Sequence, residues 1–195
     1  MSTRITAIVL AAGQSSRMGD QNKLLLSFND QSMVSHVIDQ LASSKAAEII
    51  VITGNEADSV KKSIPQKVTF IHNPDYADGL STSVRSGIDA LSNDVDGVMI
   101  CLGDMPYITA ENYNMLIAVF EDGKIIAPVT NDKIGNPLIF SSQYFEDFLN
   151  LEGDKGARAL LKKYPENILK VDLNTEAIFQ DIDTPEAYNE ATLLD

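Results

Sequence analysis

The sequence predicts an α/β fold with a mostly parallel central sheet, and three observations carry that reading. Five short runs rich in valine and isoleucine, at 5–10, 48–53, 68–72, 97–102 and 124–129, have the near-continuous apolar character of strands buried on both faces. The segments between them, 32–43, 56–63, 81–91 and 109–120, repeat apolar residues at helical spacing. Strand and helix alternate, which calls for crossover connections and hence a sheet covered by helices.

Taken in order, the first strand runs straight into Ala11-Ala-Gly13-Gln-Ser-Ser-Arg17-Met-Gly19, a loop of glycine and hydroxyl residues followed by Lys23. Ser32, Ser81 and Thr109 stand where N-caps of the first, third and fourth helices belong. The later chain is less regular. Residues 137–140 read as a strand against the edge of the sheet, 155–163 as a helix and 167–171 as a last strand. Thr184-Pro185-Glu186 opens a terminal helix, because proline suits a first turn whose amide has no helical partner. There is no internal repeat, low-complexity tract or long linker.

A chain of 195 residues with 44% hydrophobic content suffices for one well-buried domain, expected to span 1–195. The single Cys101 cannot close an internal disulfide and reads as a small buried hydrophobe. Neither a signal-like leader nor an apolar run of bilayer length is present, so the expectation is a soluble, cytoplasmic protein without a membrane partner. The net charge of -13 argues against nucleic acid, whose binding relies on lysine and arginine neutralising phosphates. Small phosphorylated ligands stay open, since screening over about 8 Å separates a cleft from the acidic background.

The first loop has the chemistry of a phosphate cradle. Gly13 and Gly19 permit backbone angles and close approach that a side chain would obstruct, so the amides around Ala12 to Ser16 can turn toward phosphate oxygens. Arg17 adds a planar fork of donors and Lys23 a point charge. An ordinary surface turn is the plainer alternative. The loop is neither a Walker A motif, for lack of Gly-Lys-Ser/Thr, nor a dinucleotide fingerprint, since Ser15 and Met18 stand where further glycines belong.

Asp104 leaves the apolar run at 98–102 in Gly103-Asp-Met-Pro106, at the carboxyl end of a strand where α/β sheets gather their ligands. It is placed either to hold a metal or to cap a turn. Gly79, Ser81 and Ser83 form a helix entry whose free amides and hydroxyls also suit a polar ligand. His36 and His72 sit in packing and loop contexts rather than catalytic ones.

Leu10-Ala-Ala-Gly-x-Ser-x-Arg17-Met-Gly19 with Lys23 resembles the signature of the MobA-like nucleotidyltransferases, and most closely that of the molybdenum cofactor cytidylyltransferases. The likeness continues through Gly103-Asp-Met-Pro106, Gly135-Asn-Pro137, Gly153-Asp-Lys-Gly-Ala-Arg158 and Asp181-Ile-Asp-Thr-Pro185, in the family's order along nearly the whole chain. It implies a three-layer Rossmann-like nucleotidyltransferase fold. It also implies transfer of CMP from CTP to the phosphate of molybdopterin, with pyrophosphate released. The nucleophile, a phosphate monoester with a second pKa near about 6, arrives charged and needs no general base.

By this resemblance Leu10, Ala11, Ala12, Gly79, Ser81 and Ser83 face the base. Gly13, Gln14, Ser15 and Ser16 hold the triphosphate, Arg17 and Lys23 neutralise it, and Asp104 with Asp183 binds Mg2+. Gly135, Asn136, Pro137, Lys155 and Arg158 then face the phosphorylated acceptor, and a molybdoenzyme of the hydroxylase type is the implied downstream partner. Leu-Ala-Ala-Gly matches the cytidine-using branch, because Ala12 fills volume that a purine would need. Ile134, where many relatives carry arginine, departs from the pattern on the acceptor side. The alternatives are GTP as donor, another phosphorylated acceptor such as a sugar 1-phosphate or methylerythritol phosphate, and a non-catalytic cofactor carrier.

Overall fold

The computed structural model describes residues 3–19 and 21–192; both ends of the expected 1–195 domain lie outside them. In chain order the elements are β1 (Ile5–Ala11), a short antiparallel ribbon β2 (Ser27–Phe28) and β3 (Gln31–Ser32), α1 (Met33–Ala42), β4 (Glu48–Thr53), α2 (Ala57–Ser63) and β5 (Thr69–His72). There follow α3 (Leu80–Asp89), β6 (Gly97–Leu102), α4 (Ala110–Ala118), β7 (Ile125–Thr130), β8 (Lys133–Ile134) and β9 (Leu138–Ser141). The chain ends in α5 (Phe145–Leu149), α6 (Ala159–Lys163), β10 (Ile168–Asp172) and α7 (Pro185–Thr192).

Eight strands among the described residues form one sheet in the order β10-β7-β9-β6-β1-β4-β5, with β8 paired to β7. β1, β4, β5 and β6 pair with one another in parallel, as β7 does with β10; β9 pairs antiparallel with both β6 and β7, and β8 pairs antiparallel with β7. The chain passes from β1 outward to β4 and β5, then returns to lay β6 on the other side of β1. This reversal opens a crevice beyond the carboxyl ends of β1 and β6.

The two cores follow from alternation along β1. Ile5, Ala7, Val9 and Ala11 point to one face and pack on α1, α2 and α4, while Ile8 and Leu10 point to the other and pack on α3, α5 and α6. Gly87 of α3 lies so close to the sheet that an added Cβ would come within 2.7 Å of Ile8, which brings the N-terminus of α3 down beside the crevice. Cys101 is buried in the first core, as the sequence suggests, and burial pushes its thiol far up. His36 stacks edge-on against Phe28, consistent with a packing role.

Three sequence expectations are corrected. Residues 138–141 form not an edge strand but β9, inserted antiparallel between β6 and β7. The helix expected at 155–163 is confined to Ala159–Lys163, because Gly153 takes φ +61 and the stretch to Arg158 stays a loop. The cap of α3 is Gly79 at φ +111, whereas Ser81 lies inside the helix. The caps at Ser32 and Thr109 are as expected, Ser32 accepting from the amide of Ser35 and Thr109 from that of Asn112. Finally, β2, β3, β8 and α5 are too short for the sequence pattern to reveal.

Candidate functional site

A cavity of about 330 Å³ fills the crevice, lined on one side by Leu10, Ala12, Gly13, Gln14 and Ser15 and on the other by Tyr76, Gly79, Leu80 and Ser83. Lys23 and Asp104 close one end and Asp154 another. Loop, helix entry and strand end therefore meet, as expected from three separated motifs. Tyr76, Leu80, Leu102 and Asp154 are additional lining residues that the sequence reading missed.

The loop after β1 is shaped by its serines more than by its first glycine. Ser15, not Gly13, adopts the left-handed backbone, at φ 51. Its hydroxyl accepts from the Lys23 amide at 3.2 Å and reaches Asn22 Oδ1 at 3.5 Å, and Asn22 Oδ1 in turn accepts from the Leu24 amide. These bonds fix the backbone from which Lys23 projects. Gly13 leaves open space instead: a Cβ there would meet nothing within 4 Å, so the loop amides stay approachable from the cavity. Gly19 takes φ +66, in keeping with its expected freedom.

The opposite wall is held by Asn73, at the end of β5. Its buried amide donates to Thr82 at 2.8 Å and to Ser83 at 3.0 Å, so the Ser83 hydroxyl is fixed against the cavity. The Asn-Pro pair after an apolar strand is the signal that marks this turn. Gly79 packs directly under the later loop, since an added Cβ would lie 2.5 Å from the Gly153 backbone. The Ser81 amide donates to Gly153 O, while its hydroxyl is buried without a hydrogen-bond partner and Ser81 does not line the cavity.

Charge is concentrated at the Lys23 end. The Lys23 ammonium donates to both Asp104 Oδ2 and Asp183 Oδ1, and Arg17 pairs with Asp183 Oδ2. Asp183 comes from the far end of the chain. The Ile182 amide donates to Asp104 O at 2.9 Å, and the Ile182 side chain is buried with Phe28 and Met33, so the segment 181–183 is tied to the end of β6. Burying that isoleucine contributes about 1.5–3 kcal/mol toward holding it there.

These contacts set the protonation preferences. Burial would raise the Asp104 carboxyl and Lys23 would lower it; with Asp181 and Asp183 adding to the rise, the net direction is upward. Burial would likewise lower Lys23, but Asp104 and Asp183 hold its ammonium and the net direction is upward. Asp183 ends below the usual carboxylate range, because Lys23 and Arg17 outweigh its desolvation. Asp104 Oδ1 is buried without a hydrogen-bond partner, and one oxygen from each of Asp104, Asp181 and Asp183 can lie within 4.8 Å of the others. An orphaned carboxylate oxygen beside two more carboxylates is a hard-oxygen set that fits a divalent cation.

The remaining sequence-predicted residues are not gathered here. Ala11 points into the α1 core, so only its neighbours Leu10 and Ala12 line the cavity. Ser16 is exposed outside it. On the acceptor side, Arg158 donates to the carbonyls of Gly135 at 3.2 Å and Ile134 at 2.8 Å, clipping one loop to the other. Gly135 is pressed against Ile178, and the Asn136 amide donates to Ile178 O; the Asn136-Pro137 peptide is cis. Lys155 lines a separate hollow with Asp147, Leu160 and Lys163. Gly135, Asn136, Pro137, Lys155 and Arg158 thus do not converge on the cavity.

Residues 7–168 match the MobA-like NTP transferase domain. The chain is 30% identical over 189 residues to the molybdenum cofactor cytidylyltransferase of Escherichia coli (strain K12), covering 94% of this chain and 93% of that protein. It is 32% identical over 195 residues to the purine catabolism protein PucB of Bacillus subtilis (strain 168), covering 95% and 94%. Among solved structures, the homolog of Mycobacterium tuberculosis rv0371c from Mycobacterium sp. strain JC1 superposes with a TM-score of 0.89 at 27% identity, covering all of both chains.

Proposed function

Since the chain belongs to the MobA-like NTP transferase family and is a nucleotidyltransferase, we propose that it transfers CMP from CTP to the phosphate of a molybdopterin-type acceptor, with Mg2+ and with release of pyrophosphate. In this reading 1–195 acts as one domain, its N-terminal part taking the nucleotide and its C-terminal part the acceptor. The observation that carries it is the meeting of Lys23 and Asp104 at one end of a cavity whose walls are the first loop and the entry to α3.

Each residue then has a task. Leu10, Leu102, Tyr76 and Leu80 offer apolar walls to a base, and Ser83, fixed by Asn73, offers a hydroxyl to its polar edge. The amides from Ala12 to Ser16 receive the triphosphate, with Lys23 as the near cation and exposed Arg17 as the outer one. Asp104 and Asp183 would hold Mg2+, which supplies charge neutralisation at the phosphate oxygens. The attacking phosphate is already charged, so the protein's work is alignment and stabilisation of growing charge.

Support for CTP comes from the alanine at position 12, which lines the cavity and carries a methyl where a glycine would leave more room for a purine. One methyl is worth about 1–3 kcal/mol of discrimination, so Ala12→Gly should shift preference toward GTP. A second reading keeps the chemistry but changes the acceptor. It is favoured by Ile134 and by the engagement of Arg158 with backbone carbonyls, which leaves the C-terminal part with less cationic reach for a phosphate.

The test is pyrophosphate release with Mg2+ and molybdenum-loaded molybdopterin, with CTP, GTP, ATP or UTP supplied separately and Asp104→Ala as control. Release with CTP alone supports the reading. Release with GTP overturns the Ala12 argument, and nucleotide binding without release points to another acceptor or to a carrier.

A further inference from the structure

The carboxylates at the end of the cavity outnumber the cations that face them. Asp104, Asp181 and Asp183 meet only Lys23 and Arg17, and Asp181 has no ion pair among the described residues. Lys23 alone engages Asp104 Oδ2 and Asp183 Oδ1, the facing oxygens of the two carboxylates assigned to the metal. An ammonium held at those oxygens and a divalent cation bound to the same carboxylates repel each other in a site largely shielded from water, so each weakens the hold of the other.

We propose that Lys23 is a stand-in cation: in the nucleotide-free protein its charge neutralises the carboxylates that a divalent cation would bind, and the entry of that cation displaces it toward the triphosphate. Two features make the exchange feasible. The backbone of Lys23 is fixed by the Ser15 hydroxyl, so its flexible four-carbon stem can swing while its anchor stays in place. Both Lys23 and Ser15 also line the cavity, so the freed ammonium has only to turn inward. Asp104 Oδ1, buried and unpartnered, gives the incoming cation an oxygen that Lys23 does not hold. The destination of Lys23 rests on the nucleotidyltransferase reading; the competition for the carboxylates does not. By linkage, cation and nucleotide then strengthen each other's binding.

The experiment is Mn2+ binding to the nucleotide-free, full-length protein, followed by the electron paramagnetic resonance of the free ion. Lys23→Gln should bind Mn2+ at least about fivefold more tightly than the unmodified protein, the low end of typical coupling between sites. Arg17→Gln, which touches only the outer oxygen of Asp183, should gain less. Amine labelling read by mass spectrometry gives a second measurement on the unmodified chain, where saturating Mn2+ should raise the reactivity of Lys23. Mn2+ binding by Lys23→Gln that is equal, weaker or absent overturns the proposal, as does Lys23 labelling that Mn2+ leaves unchanged. If Lys23→Gln binds more tightly but no nucleotide yields pyrophosphate, the exchange stands and the functional reading falls. If CTP yields pyrophosphate but Lys23→Gln gains nothing, the reverse holds.

Discussion

The two groups of residues singled out in the sequence, one around β1, β6 and α3 and the other along 134–158, are built in opposite ways. Around β1, β6 and α3, most of the residues picked from the sequence line a common cavity, though Ala11, Ser16 and Ser81 do not, and their neighbours serve to aim them: Asn73 fixes Ser83, Ser15 fixes Lys23, and Ile182 carries Asp183 to Asp104. Along 134–158, residues of equally suggestive type are tied to one another: Arg158 holds two carbonyls, Gly135 packs on Ile178, and Lys155 opens onto a different hollow. A cation in a motif can thus serve the fold as readily as the ligand. What separates the cases is whether its donors are engaged by backbone or by another charge that a ligand can exchange.

The largest test of this contrast is Asp104→Ala, expected to lower CTP-dependent turnover by about 10²–10³-fold while circular dichroism stays native. Turnover within a fewfold of the parent would remove the N-terminal half from the chemistry. Gly79→Ala comes next. It places a methyl 2.5 Å from the Gly153 backbone at φ +111, and should destabilise the protein by about 1–3 kcal/mol in a melt and weaken nucleotide binding. A neutral result would mean the two halves are not braced against each other there.

Arg158→Ala is predicted to cost about 1 kcal/mol of stability with little change in nucleotide affinity, and Arg158→Lys should fail to restore it because a single ammonium cannot reproduce the fork. A stable Arg158→Ala protein with a raised KM for the acceptor alone would move Arg158 from clip to ligand. The smallest effect is a pH dependence in the C-terminal half. Although burial opposes it, Lys163 and Tyr164 hold the Asp147 carboxyl below its ordinary range. Its contribution is therefore present above about pH 4 and lost as pH falls through the folded value. Asp147→Asn should flatten the acid limb of the stability curve only slightly, because the Lys163 partner is exposed to solvent.

β1, β4, β6 and β7 were legible because strands buried on both faces leave long runs of valine and isoleucine, and the helices because their apolar spacing is regular. The strand read at 68–72 is present as β5, but it lies at the edge of the sheet with Thr69 and His72 exposed rather than buried on both faces. β9 was misplaced for a physical reason. Pro137 suggests an edge, yet it ends a cis peptide just before the strand, so no ladder amide is lost from Leu138 onward. The helix expected from 155 was overextended because Gly153 and Gly156 sit in a loop that packs on Gly79 and Leu80, contacts that no local pattern encodes. In the site, Gly13, Lys23 and Asp104 were readable as chemistry. Tyr76 and Asp154 were not, since only the close approach of Gly54 to Tyr76, and of Gly79 to Gly153, brings them to the cavity.

The alternation at the end of β1 has a consequence for how such a protein can diverge. Ala11 and Ala12 are adjacent in the chain, yet one faces the α1 core and the other the cavity. In a saturation library, losses at position 11 should appear as reduced abundance of folded protein. Changes at position 12 should appear as altered donor preference in protein that still accumulates. If position 12 sets the choice of nucleotide as proposed, selection retunes it one residue away from a position it must leave alone.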